Sequence, residues 1–321
     1  MLSSVAPSTK ATYDTALRCY IHYCLMDVPH YTCGISKLPP ISEGILINFV
    51  THCHNHLHLT HSTIKLYLCG LRFQYSIKGV VAPRFTELDR LQMLLKGIKR
   101  TECHSIRTRL PITGNILSVL CSTLDAGVFG PFLDIMLKTV FMTAFFGFLR
   151  CAEFTCGDGF DPDYNLCVAD LSLQEDPALL TLKYSKTDHF RTGVVIKMFC
   201  NGSQMCPRCQ LVHYMGIRNI YFPVKSHSDP LFIIQDGSAM SRKIFLKMLK
   251  QAFQAAELPH DHITGHSFRI GAATSSAATQ IGDHMIKTLG RWKSDSYCRY
   301  IQTPPTAIQA AQVALAKSCI P

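Results

Sequence analysis

The longest apolar run of the chain, Ile135 to Leu149, sets the strongest constraint on its fold. The run contains Lys138 and is shorter than the roughly 20 residues that a helix needs to cross a bilayer. A helix that is apolar on nearly all sides is buried among other elements. The sequence therefore predicts a central helix, over about 130–149, in a domain large enough to surround it.

Apolar residues at helical spacing divide the region before this helix into four predicted helices. Ser8 is expected to cap the first and Ser42 the second, because a serine oxygen can accept a backbone N–H at a helix start. The third ends near Gly79, and the fourth begins at about Thr86. The basic stretch that follows, ending before Pro111, is the predicted linker. We therefore expect a helical domain over 1–105 and a second domain over 106–321.

The second domain has a different pattern. A helix over 113–125 and the central helix are followed by three short β-like segments, Leu166–Leu173, Leu179–Tyr184 and Gly193–Phe199, with turn-forming residues between them. Helices are predicted again over 207–220, 240–256, 267–279, 283–290 and about 305–317. The predicted fold class is mainly α, with an N-terminal helical domain and a mixed α+β domain that contains a small antiparallel sheet.

The charge distribution indicates a polyanionic partner for the first domain. The formal net charge is +10, and residues 1–110 carry 13 lysines and arginines against 6 acidic residues, whereas the remainder carries 19 against 16. Contacts to phosphates supply most of the non-specific affinity for nucleic acid. On charge alone, a generally basic protein without such a partner is an equally good interpretation.

The cysteines and histidines do not predict a metal site. The 15 cysteines are odd in number, and the opening MLSSVAPSTK has no apolar core of a signal peptide, so we expect reduced thiols. Cys206 and Cys209 are followed by His213, but no second cysteine pair stands at the usual zinc spacing. The histidines of HCHNHLH alternate, and helical residues two apart point to different sides. The usual signatures of ATP-driven chemistry, zinc proteolysis and ester hydrolysis are also missing from the sequence.

Two arginines in apolar surroundings are the first candidates for chemistry. In GHSFRIGAAT, His266 and Arg269 stand three apart at a predicted helix start, so their side chains project toward one side. In FFGFLRCAEF, Arg150 follows the central helix and Glu153 comes three residues later. A buried arginine is costly without an anionic partner. Arg150 either forms a structural salt bridge with Glu153 or binds an external anion.

Further candidates lie in a turn and near the C-terminus. Lys186 stands in a predicted hairpin turn, where an exposed lysine is also an ordinary feature. GRWKSDSYCRYI holds the single tryptophan, Trp292, together with Tyr297 and Tyr300. Arginines can clamp a phosphate, a lysine can protonate a leaving alkoxide, and a tyrosine can form a covalent phosphoester. This set is therefore suited to phosphoryl transfer on DNA.

These residues, in this order, resemble the signature of the tyrosine recombinases of the lambda-integrase type. The family's order is arginine, hairpin lysine, His-x-x-Arg, His or Trp, then tyrosine. It matches Arg150, Lys186, His266 with Arg269, Trp292 and Tyr300, and Glu153 matches the family's supporting acidic residue. The resemblance implies that residues 1–105 form a SAM-like core-binding domain and the rest a catalytic domain. The wording of FFGFLRCAEF, GHSFRIGAAT and IKTLGRW is most similar to integrases of the DIRS, Ngaro and crypton groups of eukaryotic mobile elements.

The resemblance also implies a mechanism and partners. Tyr300 attacks a phosphate of duplex DNA, giving a 3′-phosphotyrosyl link, and strand exchange reverses the attack without ATP, metal or another cofactor. Trp292 packs in the site and donates its indole N–H to the scissile phosphate, without transferring a proton. Self-association as a dimer or tetramer on DNA is expected, with the C-terminal helix docking on a neighbouring protomer, and the location is nuclear in a eukaryote and otherwise cytoplasmic. No membrane association is expected. The expected DNA-binding residues are basic and lie in or beside the first domain: Lys65, Arg72, Lys96, Lys99, Arg100, Arg107 and Arg109.

Three alternatives remain open on the sequence. The chain is also consistent with a former mobile-element recombinase that binds DNA without catalysis. A type IB topoisomerase shares the chemistry, although the compact length and the histidine of HSFR favour a recombinase. The nucleophile is assigned to Tyr300, but Tyr297 lies about one helical turn earlier and is the alternative.

Overall fold

The computed structural model describes residues 4–28, 31, 38–102, 109–185, 188, 192–303 and 305–318. The chain divides into two compact units, residues 1–106 and 107–321. Within the described ranges, none of the helices combines the length and the apolar composition that crossing a membrane requires. Lys186 and Arg107 lie outside the described residues.

The described part of the first unit contains four α-helices, α1 (Pro7–Asp27), α2 (Glu43–Asn55), α3 (His61–Ile77) and α4 (Asp89–Thr101). The predicted cap of α2 is present, since Ser42 Oγ accepts the Ile45 N–H at 3.4 Å. The predicted cap of α1 is wrong. That helix begins at Pro7, which suits a first turn because it lacks the N–H that would be unpaired there, and Ser8 lies inside it. The four helices bury one core, which includes Tyr20, Phe49, Ile64, Leu71 and Leu95.

The second unit contains eight helices and three strands in its described part. In chain order these are α5 (Gly114–Ala126), α6 (Pro131–Phe146), α7 (Cys151–Phe154), β1 (Leu171–Ser172), β2 (Ala178–Leu182), β3 (Val194–Met198), α8 (Pro207–Tyr221), α9 (Arg242–Ala255), α10 (Ser267–Ala278), α11 (Asp283–Gly290) and α12 (Pro305–Ser318). The mainly helical architecture with a small antiparallel sheet confirms the predicted fold class.

The central helix of the sequence is α6, and it packs against α5, α8 and α10. Its side chains are buried on most faces, as an all-apolar helix requires. It ends at Phe146, three residues before the predicted end, because Gly147 and Phe148 turn the chain and Phe148 adopts a positive φ of 49°. This turn directs the backbone carbonyls of both residues toward the arginines described below.

The sheet is antiparallel in the order β1-β2-β3, with Leu180 opposite Ile196 in the second pair. Ala178, Leu180 and Leu182 of β2 face the core, as the two-residue period of a strand dictates. Strand β1 is much shorter than the predicted segment, because a 3-10 turn occupies Val168–Asp170. Lys186 belongs to the connection between β2 and β3.

Close backbone contact holds the start of α10 in position. The Ile112 N–H donates to the Ser267 carbonyl at 3.0 Å. A Cβ on Gly271 would lie 1.8 Å from the Ile112 carbonyl oxygen, so only glycine fits there. The segment before α5, which contains Ile112, thereby fixes the N-terminal end of α10, which carries His266 and Arg269.

Candidate functional site

Arg150 and Glu153 form a buried ion pair at the turn between α6 and α7. The Arg150 Nη1 donates to Glu153 Oε1 at 2.9 Å, and the Arg150 backbone N–H donates to Glu153 Oε2 at 2.8 Å. The two side chains are 14% and 3% exposed. Of the two interpretations of Arg150, the structural salt bridge is therefore present, and the side chain keeps a small accessible surface.

A third arginine, Arg291, completes this cluster and was not among the residues predicted from the sequence. Its Nη2 lies 2.9 Å from Glu153 Oε2, and its Nη1 donates to the Gly147 carbonyl at 2.8 Å. Arg291 ends α11 with a positive φ of 56°, which turns its side chain back toward α6. The carboxylate of Glu153 thus holds two guanidinium groups together. The only sequence signal for Arg291 was its place between Gly290 and Trp292.

Arg269 lies beside this cluster and is completely buried. Its Nη1 and Nη2 donate to the backbone carbonyls of Phe148 and Gly290, and its Nε has no hydrogen-bond partner among the described residues. Burial, and then the positive charges of Arg150 and Arg291, lower the pKa of Arg269 to about 9. The guanidinium is therefore still charged at neutral pH. Two of its five N–H donors thus bind backbone carbonyls within the protein.

Aromatic rings cover Arg269. Its guanidinium carbon lies 4.2 Å from the centre of the Trp292 ring and 5.8 Å from that of Tyr300, distances typical of cation–π contacts. The two rings are 5.2 Å apart. The Trp292 ring folds back onto Gly290, where a Cβ would come within 1.6 Å of it. Only glycine at position 290 therefore allows the Trp292 ring to lie over the guanidinium of Arg269.

The two tyrosines have different surroundings. Tyr300 is half-buried, and its backbone carbonyl accepts the Thr274 hydroxyl of α10 at 3.2 Å. Tyr297 is only 5% exposed and packs with Phe148, Ala272 and Ile286. Burial, followed by hydrogen bonding to Asp283, raises the pKa of Tyr297 above its ordinary value. Of the two tyrosines, Tyr300 is the one whose ring contacts the guanidinium of Arg269.

His266 precedes the first turn of α10, as its sequence position indicates. Its ring Nδ1 is buried and has no hydrogen-bond partner among the described residues. Burial, and then the charges of Arg109, Arg242, Arg150 and Arg269, lower its pKa below 6.5. The ring is therefore neutral at pH 7 and has the protonation state that a proton acceptor needs.

The lowered pKa of His266 predicts a pH-dependent stability. As the pH falls below 7, the unfolded chain takes up a proton at His266 near pH 6.5 while the folded chain does not, so folded stability is lost. The slope is at most about 1.4 kcal/mol per pH unit, and smaller because solvent screens a half-buried ring. Urea unfolding at pH 7.5 and 5.5 should show a smaller loss in His266→Gln than in wild type. An equal loss in both proteins would contradict the lowered pKa.

The other expected DNA contacts lie on exposed surfaces of the described chain. On α3, Lys65 and Arg72 are seven residues apart and share a face, and both are exposed. On α4, Lys96, Lys99 and Arg100 are exposed and lie on one face. In the second unit, the Gln302 side-chain amide donates a hydrogen bond to the Arg109 carbonyl at 2.8 Å. This bond links the segment before α5 to the segment after Tyr300.

The structure therefore brings together six of the seven residues predicted for the catalytic site. These are Arg150, Glu153, His266, Arg269, Trp292 and Tyr300, and Arg291 joins them. Three guanidinium groups face one carboxylate, so the cluster has an excess of positive charge in a partly desolvated place. Such a place attracts an anion, and a phosphate diester is an anion that arginine can bind through two donors.

Part of the chain matches a known protein family. Residues 170–303 match the model of the phage integrase family, a range that includes His266, Arg269, Trp292 and Tyr300 but begins after Arg150. A search of curated proteins finds no match.

Several solved structures share the fold. The XerH site-specific recombinase bound to palindromic difH substrate, a post-cleavage complex, superposes with a TM-score of 0.63 at 15% identity, covering 95% of this chain and 78% of that one. The Tn1549 transposon integrase in complex with transposon right end DNA gives 0.63 at 13% identity, covering 98% and 95%. A lambda integrase dimer bound to a COC′ core site gives 0.56 at 13% identity, covering 94% and 74%. Residues 170–303 therefore match the phage integrase family model, and the chain shares its fold with these solved recombinase and integrase structures.

Proposed function

We propose that this protein is a tyrosine recombinase that cuts and rejoins duplex DNA through a 3′-phosphotyrosyl intermediate. The observation that carries the proposal is the position of the Tyr300 ring, 5.8 Å from the guanidinium of Arg269 in a cluster with excess positive charge. The matched family domain and the recombinase fold support it. The subgroup of DIRS, Ngaro and crypton integrases, action on a mobile element and a nuclear location are parts of the same proposal.

The proposed chemistry uses the residues in separate roles. The Tyr300 hydroxyl attacks the phosphorus, His266 accepts the tyrosine proton, and the bond from phosphorus to the 5′ oxygen breaks. Lys186 donates the proton that converts the leaving oxygen to a 5′-hydroxyl. Arg150 and Arg269 stabilise the charge on the non-bridging oxygens, as donors in a desolvated site do most effectively. The reverse attack by a 5′-hydroxyl of another strand restores Tyr300.

Arg269 has to become accessible for this chemistry. Its side chain is completely buried, and each of its two Nη groups already donates one N–H to a backbone carbonyl, that of Phe148 or that of Gly290, so an external phosphate cannot reach the guanidinium as it stands. We propose that binding of DNA moves the segment carrying Trp292 and Tyr300, which uncovers the guanidinium. This same observation favours the second candidate function, a DNA-binding protein derived from a recombinase that no longer cleaves.

A covalent trapping experiment separates the two functions. Duplexes that bind the protein are first selected from a randomised pool at low salt. The selected duplex is then nicked near each candidate position, so that cleavage releases a short fragment and traps the enzyme. A recombinase gives a denaturation-resistant protein–DNA adduct at one position. If the protein binds the duplex but forms no adduct at any nick position, the proposal is contradicted and the non-catalytic function remains.

The exposed basic face of α4 predicts a change in salt dependence. Each lysine or arginine that neutralises a phosphate contributes about one unit to the slope of log K against log salt concentration. Replacing Lys96, Lys99 and Arg100 by glutamine should therefore reduce the slope by about 3 and weaken binding similarly on all sequences. Lys78→Gln is the matched control, since Lys78 is exposed in the same unit but follows α3. The measurement is the affinity for a labelled duplex by fluorescence anisotropy, at salt concentrations from about 50 to about 300 mM. An unchanged slope would remove α4 from the interface.

We propose that the protein also self-associates on DNA. Helix α12 exposes Ile308 and Val313, which supports a role for it in contact with another protomer.

A further inference from the structure

Three cysteine thiols meet where the sheet joins α8. Cys200 follows β3, Cys206 precedes the first turn of α8, and Cys209 lies in that turn. Their Sγ atoms all lie within 4.8 Å of one another. Cys200 was not part of the motif considered from the sequence, because five residues separate it from Cys206 and this spacing does not indicate that the two thiols are close in space. Within the described part of the chain, this is the one group of three or more potential ligands that converge.

The distances between the sulfurs fit coordination of a single metal ion. The Cys200 Sγ lies 3.8 Å from the Sγ of Cys206 and 3.8 Å from that of Cys209. Zinc binds thiolates at about 2.3 Å in a tetrahedron, which separates the sulfurs by about 3.8 Å. A disulfide would need about 2.05 Å and would use only two of the three thiols. Both distances thus equal the separation of two thiolates on one zinc ion.

The surrounding backbone holds this arrangement in place. The Cys209 N–H donates to Cys206 Sγ at 3.4 Å, the kind of contact that orients a metal-binding thiolate. The Asn201 side-chain amide donates to the Met205 carbonyl at 3.2 Å, which closes the loop between Cys200 and Cys206. The loop also contains Gly202 at a positive φ of 68°. The thiols are thus brought together by the folded loop.

We propose that Cys200, Cys206 and Cys209 bind one Zn²⁺ ion, with His213 as the fourth ligand. His213 is exposed on α8 and stands four residues after Cys209, one helical turn further on the same face. Its ring nitrogens lie outside the group of converging sulfurs, so its side chain has to turn toward them to complete the site. The resulting pattern C-x5-C-x2-C-x3-H combines soft thiolates with an imidazole, which are the ligands that zinc prefers. Four protein ligands leave no open position, so the site is structural.

The proposed ion joins two parts of the second unit. The Cys200 N–H donates to Asp176 Oδ1 at 2.9 Å, in the turn between β1 and β2. Zinc would therefore fix this end of the sheet to the start of α8. The connection that carries Lys186 leaves the opposite end of β2 and β3. The proposal does not depend on recombinase activity, and its test does not use DNA.

Metal content and cobalt spectroscopy test the proposal. The full chain, purified under reducing conditions without chelator, is expected to hold one zinc per molecule by elemental analysis. Removal by a chelator should lower Tm, and added zinc should restore it, because an ion that binds only the folded state stabilises it. Cobalt should give the visible bands of a tetrahedral thiolate site. These measurements on the wild-type protein remain decisive even if a cysteine variant fails to fold.

Matched variants identify the ligands. Losing a supporting contact costs about 10–100-fold in metal affinity, so losing a ligand should cost at least about 100-fold. We expect that loss in Cys200→Ser, Cys206→Ser, Cys209→Ser and His213→Ala. Cys69→Ser and Cys298→Ser are the controls, since both cysteines are exposed and lie elsewhere.

Three results would overturn the proposal or part of it. Zinc well below one per molecule with no cobalt spectrum would remove the site. A zinc-free protein that, as purified, has a mass lower by two hydrogens before reduction than after it would show a disulfide instead. Unchanged affinity in His213→Ala would overturn the assignment of the fourth ligand.

Discussion

Replacing Tyr300 by phenylalanine is expected to abolish the covalent protein–DNA adduct, whereas Tyr297→Phe is expected to keep it. Only Tyr300 presents its ring to Arg269, at 5.8 Å, while being half-buried and near the surface. Tyr297 is 5% exposed, is held among apolar side chains, and has a raised pKa. A phenol that is harder to ionise and cannot reach solvent is a poor nucleophile.

The measurement is the yield of adduct on a nicked duplex after denaturing electrophoresis. Loss of a nucleophile in a covalent enzyme lowers the rate by several orders of magnitude, on the order of 10⁴ or more. Tyr300→Phe should still bind the intact duplex with wild-type affinity, which separates chemistry from binding. Tyr297→Phe serves as the control because it removes the same hydroxyl three residues away. An adduct that survives in Tyr300→Phe and disappears in Tyr297→Phe would assign the nucleophile to Tyr297.

Replacing Glu153 by glutamine is expected to destabilise residues 107–321 by about 3 kcal/mol or more. The carboxylate binds Arg150 and Arg291 at 2.9 Å each and is 3% exposed. Removing it leaves three guanidinium groups close together without a compensating charge. Breaking a buried ion pair on one side costs about 3–5 kcal/mol, because the remaining charge stays buried and unpaired. Glutamine preserves the shape and one acceptor, so the charge is the main change.

Trp292 reports the unfolding of this unit directly. It is the single tryptophan of the protein and lies against Arg269, so its fluorescence in urea follows the site. Asp295→Asn is the control, since the Lys287–Asp295 pair is of the same type but Asp295 is 83% exposed. We expect a loss of at most about 1 kcal/mol there. A loss in Glu153→Gln as small as in the control would contradict the central role of this carboxylate.

The double variant Glu153→Gln/Arg291→Met gives a second measurement of the same coupling. It removes both charges, so it should be less destabilised than the sum of the two single variants. Arg291 acts through Glu153 on Arg150, and we regard it as a positioning residue. Additive losses would mean that Arg291 stabilises the fold independently of Glu153.

The longer helices could be predicted from the sequence because the apolar residues that each helix buries recur at helical spacing within its own segment. The repeat of Ile64, Leu68 and Leu71 along α3 needs only local spacing, and the structure buries all three. The apolar run after Pro131 predicted a surrounded helix, and α6 is surrounded. Ends were less accurate, since α6 stops at Phe146 and β1 has two residues. Those ends depend on turns that carry little apolar pattern.

The candidate site was only partly accessible from the sequence. The order of Arg150, His266, Arg269, Trp292 and Tyr300 suggested one site, since each residue type has a role in phosphoryl transfer. Nothing local indicated that Arg291 binds a carboxylate 138 residues earlier in the chain. The carbonyl partners of Arg269 were equally hidden, since backbone acceptors have no signature in the residue types.

The sequence by itself determined the order of the longer helices, the mainly helical class and the types of charged residue available to the site. The tertiary structure alone decided which partners those residues have. It placed Arg291 on Glu153, covered Arg269 with Trp292 and Tyr300, and brought Cys200 to Cys206 and Cys209. The physical reason is that helix formation depends on neighbours a few positions apart, whereas ion pairs, aromatic stacking and metal coordination depend on distances of a few ångström between segments far apart in the chain.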